Sequence, residues 1–176
     1  GTYTDCTDAD VIVITAGTRQ KPGESRLQLV NRNAQLCKWI VEKIEPHKTK
    51  GVFLIVTNPV DIMTQVVIEH SGLPKHRVIG SGTVLDSARF RYLLSRNCRV
   101  DTRNVHAYVI GEHGDSEIVL WSQVHIGGTP LDIFCKQCAV ACNSMVNREK
   151  IAEGVRHSAY HIIESKGATT YGISLA

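Results

Sequence analysis

The stretch from Val105 to Asp115 carries the residue best suited to acid–base chemistry. Six mostly apolar, β-favouring residues, 105–110, lead to His113, which lies between Gly111 and Gly114. This pattern predicts a strand that delivers an imidazole to its end with little side-chain bulk around it. Because its unperturbed pKa lies near neutrality, a histidine can donate a proton in one direction of a reaction and accept it in the other. A structural histidine in a turn is the alternative.

Composition narrows the class of protein. The chain has 176 residues, 43% of them hydrophobic, and a formal charge of +3. It is long enough for one domain with a real core and short for two, and both ends resemble cuts inside a longer protein. The Lys and Arg residues are too scattered to predict binding to nucleic acid. With no apolar stretch near the roughly 20 residues of a membrane helix and no signal peptide before the first strand, we expect a cytoplasmic protein. Six cysteines at irregular spacing are then expected to be reduced thiols.

The first part of the chain predicts a parallel sheet. Residues 11–16 are continuously apolar, as in a strand buried on both faces, and Gly17 ends the run. The polar loop that follows contains Gln20 and Arg26. Loops at the carboxyl ends of parallel strands are where open α/β sheets bind ligands, so both side chains are candidates for a site.

The next segments continue the alternation of strand and helix. Apolar residues at helical spacing predict a helix over 27–44, a strand over 52–56, a helix over 61–71 and a strand over 77–79. Pro59 holds Asn58 outside the helical region, at the ligand side of the sheet. Strand, helix, strand, helix, strand is half of a doubly wound fold.

A further helix is predicted over about 84–97. The preceding Gly80-Ser81-Gly82 is not a dinucleotide fingerprint, because Leu85 occupies the position of its third glycine. The helix carries Asp86 and Arg89 three residues apart and therefore on one face. They form either an exposed ion pair or two groups directed at a ligand.

The last third predicts a second, smaller sheet region and two helical patterns. Residues 118–124 and the turn at 127–130 indicate the sheet. Cys135, Cys138 and Cys142 fall on one helix face without a fourth partner, so a metal cluster is not expected. His157 and His161 lack the glutamate that a zinc-protease motif requires. Residues 167–170 close the final helix, where a hydroxyl could face a site.

Several motifs occur together in one order: the strand with Gly17, the loop from Gln20 to Arg26, Thr57-Asn58-Pro59, Asp86-Ser87-Ala88-Arg89, Gly111-Glu112-His113-Gly114-Asp115 and Lys166-Gly167-Ala168-Thr169. In this order they resemble the L-lactate and malate dehydrogenase family, over essentially all 176 residues. The resemblance implies an α/β fold: the C-terminal half of a doubly wound (Rossmann) parallel sheet over 1–80, followed by part of an α+β substrate domain over 81–176. It also implies NAD as cofactor, pyruvate and L-lactate as substrates, no metal, and a homo-oligomer, usually a tetramer.

The resemblance also implies roles for individual residues. His113 is the expected acid/base, Asp86 its hydrogen-bond partner, Arg89 the group that binds the substrate carboxylate, and Arg26 the group that polarises the carbonyl. Substrate and cofactor contacts are expected from a further set of residues: Asn58, Thr169, Tyr3, Gly17, Thr18, Thr57 and Ser81.

Two positions refine the expected activity. Malate enzymes carry an arginine where this chain has Gln20, so the second carboxylate of oxaloacetate would be left unpaired and lactate is favoured over malate. Arg91 and His106 match positions that bind fructose 1,6-bisphosphate in allosteric bacterial members.

The chain also departs from the family pattern. The first strand, the Gly-rich phosphate loop and the acidic residue for the adenosine ribose would precede Gly1, and part of the substrate domain would follow Ala176. Trp39 stands where members commonly carry a small polar residue. We therefore expect an internal fragment that is inactive alone. The alternatives are a malate or other 2-hydroxy acid dehydrogenase, and a truncated, non-catalytic paralogue.

Overall fold

The computed structural model describes residues 1–18, 23, 25–45, 48–137, 145–167, 169 and 171–176, and it describes only the backbone of Arg26, Met145 and Val146. The chain divides into two compact units, Gly1–Gly82 and Thr83–Ala176. We call them the N-terminal unit and the C-terminal unit.

The N-terminal unit is built on a three-stranded parallel sheet in the order β1-β2-β3. A short 3-10 helix, Tyr3–Asp8, precedes the sheet. The elements that follow it, in chain order, are β1 (Val11–Ile14), α1 (Arg26–Ile44), β2 (Val52–Ile55), α2 (Val60–Ser71) and β3 (Val78–Gly80). The predicted alternation of strands and helices is confirmed.

Both helices of this unit pack on the same face of the sheet. Ile12 and Ile14 of β1 share a core with Phe53, Ile55 and the apolar side chains of α1 and α2. The opposite face is uncovered in the described part of the chain, and Val11 and Val13 are more than half exposed. The prediction that residues 11–16 are buried on both faces was therefore wrong, because alternate side chains of a strand point to opposite faces and helices cover only one of them.

The C-terminal unit combines helices with short antiparallel strands. Its elements are α3 (Val84–Cys98), β4 (Val105–His106), β5 (Val109–Ile110), β6 (Ile118–Val119), β7 (His125–Ile126), β8 (Thr129–Pro130), α4 (Leu131–Gln137) and α5 (Met145–Lys166). Strands β4, β7 and β8 form one sheet, and β5 pairs with β6 in another. The core lies between α3, α5 and these strands, with Phe90, Leu94 and Val155 fully buried.

Two predicted strands of this unit are interrupted. The single strand expected over 105–110 is two short strands, because β4 pairs with β7 whereas β5 pairs with β6. Its buried Ala107 lies at the change of partner. The sheet region expected at 118–124 begins with a strand that ends at Val119, and a 3-10 turn, Trp121–Gln123, follows it. Apolar periodicity marked these segments as buried but did not show where each strand changes partner.

The cysteines only partly match the expectation of reduced thiols. Cys6, Cys37 and Cys98 are reduced thiols, whereas Cys135 is disulfide-bonded. Cys138 and Cys142, the other members of the predicted helix face, lie outside the described residues.

No helix in the described part of the chain is both long and apolar enough to cross a membrane.

Candidate active site

The loop after β5 presents His113. Gly111 adopts a φ of +92°, a conformation that side chains disfavour, and it turns the chain away from the strand. The His113 side chain is 28% exposed, so the ring is supported by the protein but can be reached from solvent. A partly exposed imidazole at the end of a strand can exchange a proton with a ligand.

The first turn of α3 supplies the partner of this imidazole. Asp86 is the third residue of the helix, and only 2% of it is exposed. A carboxylate is favoured at this position because the amino end of a helix carries partial positive charge. Arg89 follows one turn later on the same face, as the spacing predicted.

The structure brings Asp86, Arg89 and His113 into contact. Nδ1 of His113 lies 2.6 Å from Oδ2 of Asp86, and Nη1 of Arg89 donates to Oδ1 of Asp86 over 3.1 Å. Since the carboxylate accepts, Nδ1 of His113 carries the proton of this bond, and Nε2 is the ring nitrogen that can serve a ligand. The predicted ion pair of Asp86 and Arg89 is thus largely buried, not exposed.

Two hydroxyl groups hold α3 against the strand that leads to His113, and the sequence analysis missed both. The buried Ser87 accepts a hydrogen bond from Val109 N at 2.9 Å, and Thr83 donates to Val109 O at 2.6 Å. Because Ser87 is next to Asp86, these bonds fix the distance between the carboxylate and the loop that carries the imidazole.

A second carboxyl group, Glu117, lies beside the pair and was also missed. It is 4% exposed, and its Oε1 has no hydrogen-bond partner in the described part of the chain. Burial, together with the charge of Asp86, raises the pKa of Glu117 to about 7. One ring nitrogen or carboxylate oxygen from each of Asp86, His113 and Glu117 lies within 4.8 Å of the others.

The surroundings favour the charged form of His113. Its hydrogen bond to Asp86 raises the pKa of His113 above the usual value, although burial opposes this shift. The negative charges of Asp86 and Glu117 add to it, and the cation of Arg89 acts against it. The imidazole is therefore suited to arrive protonated at a reaction near neutral pH.

The candidate cofactor residues of the N-terminal unit lie at the carboxyl ends of its strands. Thr57, just after β2, donates to Ala16 O at 2.8 Å. Thr18 donates to Asn33 Oδ1 from both its N–H and its hydroxyl, each at 2.9 Å. Asn33 in turn donates to Asn58 O at 3.0 Å, so it joins the ends of the first two strands.

The sequence analysis did not single out Asn33. Its only signal was a polar residue at a position of α1 that the apolar periodicity turns toward the core, and it is 2% exposed. A polar side chain on a buried helix face must find partners, and here the partners are the strand ends.

Other candidates of this unit are placed less tightly. Ser81 is half-buried, and its N–H donates to Ile55 O at 2.8 Å. Tyr3 is 39% exposed and packs edge-on against Trp39, with ring centroids 5.8 Å apart. Gln20 and the side chain of Arg26 lie outside the described residues.

The remaining candidates belong to the C-terminal unit. Arg91 is half-buried on α3, and His106 is exposed on β4, opposite His125 of β7. Thr169 is exposed, and Gly167 closes α5 with a bond from its N–H to Ile163 O at 2.7 Å.

Together, these features define a two-unit α/β protein with a parallel sheet in one unit and a carboxylate–imidazole pair beside a guanidinium in the other. Residues 1–80 match the lactate/malate dehydrogenase NAD binding domain, and residues 83–176 match the lactate/malate dehydrogenase alpha/beta C-terminal domain. The chain therefore belongs to the lactate/malate dehydrogenase family, and the predicted fold class is confirmed.

Individual relatives agree with this assignment. The chain is 52% identical to the L-lactate dehydrogenase of Acetivibrio thermocellus and 55% identical to that of a Thermoanaerobacter strain, over its whole length and over 55% and 56% of theirs. A solved lactate dehydrogenase from a Medee basin deep-sea metagenome library superposes with a TM-score of 0.93 at 46% identity. The minor L-lactate dehydrogenase of Enterococcus mundtii, in its ligand-bound form, gives 0.91 at 41%. Each solved structure covers 99% of this chain, which covers 55% of each. The chain thus spans about half the length of its relatives.

Proposed function

We propose that the whole protein is an NAD-dependent L-lactate dehydrogenase, which interconverts pyruvate and L-lactate. The observation that carries this proposal is the 2.6 Å contact of His113 with Asp86, beside the guanidinium of Arg89. An acid–base group and a carboxylate-binding group side by side are what the reduction of a small 2-keto acid requires.

In the proposed mechanism, His113 is the general acid and base of the reaction. Asp86 accepts from Nδ1, and Nε2 would donate a proton to the ketone oxygen of pyruvate and remove it from the hydroxyl of lactate. Asp86 stabilises the imidazolium and fixes the ring tautomer, as the buried aspartate does in other carboxylate–histidine pairs.

Arg89 would bind the carboxylate of the substrate. One of its nitrogens donates to Asp86, and the planar guanidinium has further N–H groups for a second carboxylate. This arrangement would orient the keto group toward the imidazole. Arg26 would stabilise the negative charge that develops on the carbonyl oxygen, and Asn58 and Thr169 would add hydrogen bonds to the substrate; these three roles rest on the family resemblance.

The N-terminal unit offers a surface that fits the cofactor. A Cβ on Gly17 would lie 2.9 Å from Cγ2 of Thr57, so only glycine leaves the backbone unobstructed at this strand end. Gly17, Thr18, Thr57 and Asn58, together with Tyr3 and Ser81, would hold the cofactor there. When bound, NADH supplies the hydride for the keto carbon.

Substrate choice is assigned to Gln20. A neutral amide leaves the second carboxylate of oxaloacetate without a charged partner, whereas the methyl group of pyruvate loses nothing. We therefore propose lactate over malate as the physiological substrate.

Regulation, assembly and location complete the proposal. Arg91 and His106 supply a cation and a titratable ring, which suit a sugar bisphosphate such as fructose 1,6-bisphosphate. The effector site is tested by replacing Arg91 and His106 with Gln, which should abolish any change in pyruvate affinity caused by the effector.

We also propose that the protein forms a homo-oligomer, expected to be a tetramer, and that it is located in the cytoplasm.

The deciding experiment is an NADH oxidation assay with pyruvate and oxaloacetate, with and without fructose 1,6-bisphosphate, on the 176-residue segment and on the full-length gene product. We expect the full-length protein to prefer pyruvate. A preference for oxaloacetate would favour a malate dehydrogenase. No turnover of any 2-keto acid by the full-length protein would favour a non-catalytic paralogue.

A further inference from the structure

Glu117 is a buried carboxyl group that the proposed mechanism does not use. It follows His113 by four residues and directly precedes β6. Its side chain is almost completely buried, and Oε1 has no hydrogen-bond partner in the described part of the chain. A buried carboxyl oxygen without a partner costs free energy, so a purely structural role would be better served by an apolar or fully bonded side chain.

The charged groups around Glu117 come from two helices and from its own loop. Asp86 and Arg89 face it from α3, His113 from its own loop, and Arg156 from α5. The ligand atoms of Asp86, His113 and Glu117 lie within 4.8 Å of one another. At this separation a charge on Glu117 acts directly on the ring of His113.

Two carboxylates and one imidazole cannot all be charged without cost in a buried site. Asp86 is paired with His113 and Arg89, whereas burial and the charge of Asp86 raise the pKa of Glu117. Glu117 is therefore the group that changes its protonation in the neutral range. Its negative charge, when present, favours the protonated form of His113.

We propose that Glu117 is a positioning residue of the catalytic pair: its carboxylate holds the proton on His113 and so extends the reduction of the keto acid to more alkaline pH. The inference rests on the proposed function, because it takes His113 as the acid–base group. It adds a second carboxyl to the pair of His113 and Asp86.

The test compares two glutamates of the same loop in the full-length enzyme. Glu117→Gln removes the buried charge and keeps the shape, whereas Glu112→Gln removes an exposed charge next to His113. The rate constant kcat/KM for pyruvate is measured from about pH 5.5 to about pH 9.5, because this range brackets the neutral region in which histidine titrates.

We expect Glu117→Gln to move the alkaline midpoint down by about one pH unit, because an opposite charge at about 5 Å has been removed from the imidazolium. The acidic midpoint for lactate oxidation should fall by the same amount. Glu112→Gln should shift either midpoint by less than a third of that, since solvent screens its charge. A Glu117→Gln midpoint equal to that of the wild type overturns the inference.

A second readout does not depend on turnover. Diethylpyrocarbonate modifies the neutral imidazole, so the pH dependence of the modification of His113, quantified by mass spectrometry, reports its ionisation directly. Failure of the wild type to reduce pyruvate would count against the proposed function, and the modification profile would still decide the role of Glu117.

Glu117→Met is a second variant for the same measurement, to be used if Glu117→Gln does not fold. It removes the carboxyl without leaving a buried polar group. The modification midpoint should again fall by about one pH unit, and an unchanged midpoint in this variant would likewise overturn the inference.

Discussion

The two units use polar side chains in opposite ways at their candidate sites. In the N-terminal unit neutral side chains bond to backbone groups or to each other, as Thr57 does with Ala16 O and Asn33 with Thr18 and Asn58 O. Arg32 adds a bond from its Nε to the hydroxyl of Thr18. In the C-terminal unit they are ionisable and bond to one another. The first arrangement is insensitive to pH and holds strand ends in place, whereas the second changes its charge in the neutral range.

This difference predicts how substitutions in each unit will act. Changes in the N-terminal unit should lower the free energy of unfolding and weaken cofactor binding, because they remove hydrogen bonds that hold the strand ends in place. Changes in the C-terminal unit should lower the rate or shift its pH dependence with little loss of stability, because they alter the charges that act on a proton. The predictions below test this division in the full-length enzyme, from the largest expected effect to the smallest.

The largest effect is expected from His113→Asn. General acid–base catalysis contributes about 10²- to 10⁴-fold, so kcat/KM for pyruvate should fall by that factor while the affinity for NADH is retained. Steady-state assays and NADH fluorescence titration measure the two quantities. His157→Asn, on the exposed face of α5, is the matched control and should leave both unchanged. A loss of less than about threefold for His113→Asn would contradict a role in proton transfer.

Gln20→Arg is the substitution that we expect not to follow this division between the units. The substitution lies in the N-terminal part of the chain, yet we expect it to change substrate choice by supplying a cation for the second carboxylate of oxaloacetate. The ratio of kcat/KM for oxaloacetate to that for pyruvate should rise by about 100-fold or more. Lys21→Arg, one position along the same loop, controls for a general change of charge geometry. An unchanged ratio would refute the assignment of Gln20.

Asn33→Ala should act on stability. It removes three hydrogen bonds that join the strand ends, and a loss of about 2–3 kcal/mol in the apparent free energy of unfolding is expected in urea. Asn31→Ala is an unusually close control, since it replaces the same residue type two positions earlier on the exposed face of α1. Its effect should stay within about 0.5 kcal/mol. Equal effects of the two substitutions would mean that the strand-end bonds do not stabilise the unit.

Glu117→Gln should change the pH dependence of stability. The pKa of Glu117 in the folded protein is raised to about 7 from 4.5, so the folded state binds a proton that the unfolded state has already lost in this window. Wild-type stability attributable to this carboxyl is therefore full below about pH 4.5 and is lost as pH rises toward 7. Relative to the wild type, the variant should gain about 1–3 kcal/mol between pH 5 and 8 in urea unfolding. A constant difference across this range would contradict the raised pKa.

Much of the architecture was accessible from the sequence because its signals are local. Apolar runs and helical spacing placed the strands and helices of the N-terminal unit to within a few residues, and proline and glycine marked their ends. The sequence motifs also singled out Asp86, Arg89 and His113, which the structure brings into contact. Their catalytic roles stay predictions.

What the sequence did not reveal depends on contacts between distant residues. Nothing in the pattern marks Glu117 as buried, since a glutamate before a strand is usually exposed. Ser87 and Asn33 form hydrogen bonds with backbone atoms of other elements. The spacing of residues along one element does not indicate such partners. The change of strand partner at Ala107 was missed for the same reason.

The most direct test of the account is a double-mutant cycle on the carboxylate and the imidazole. Asp86→Asn, His113→Asn and the double variant are compared by the single-turnover rate of NADH oxidation with saturating pyruvate, with circular dichroism to confirm folding. If Asp86 acts through His113, the double variant will be about as slow as His113→Asn alone, because residues that work as a unit lose their effect together. If the two losses multiply, Asp86 and His113 act independently, and the central claim that they form one proton-transferring pair is contradicted.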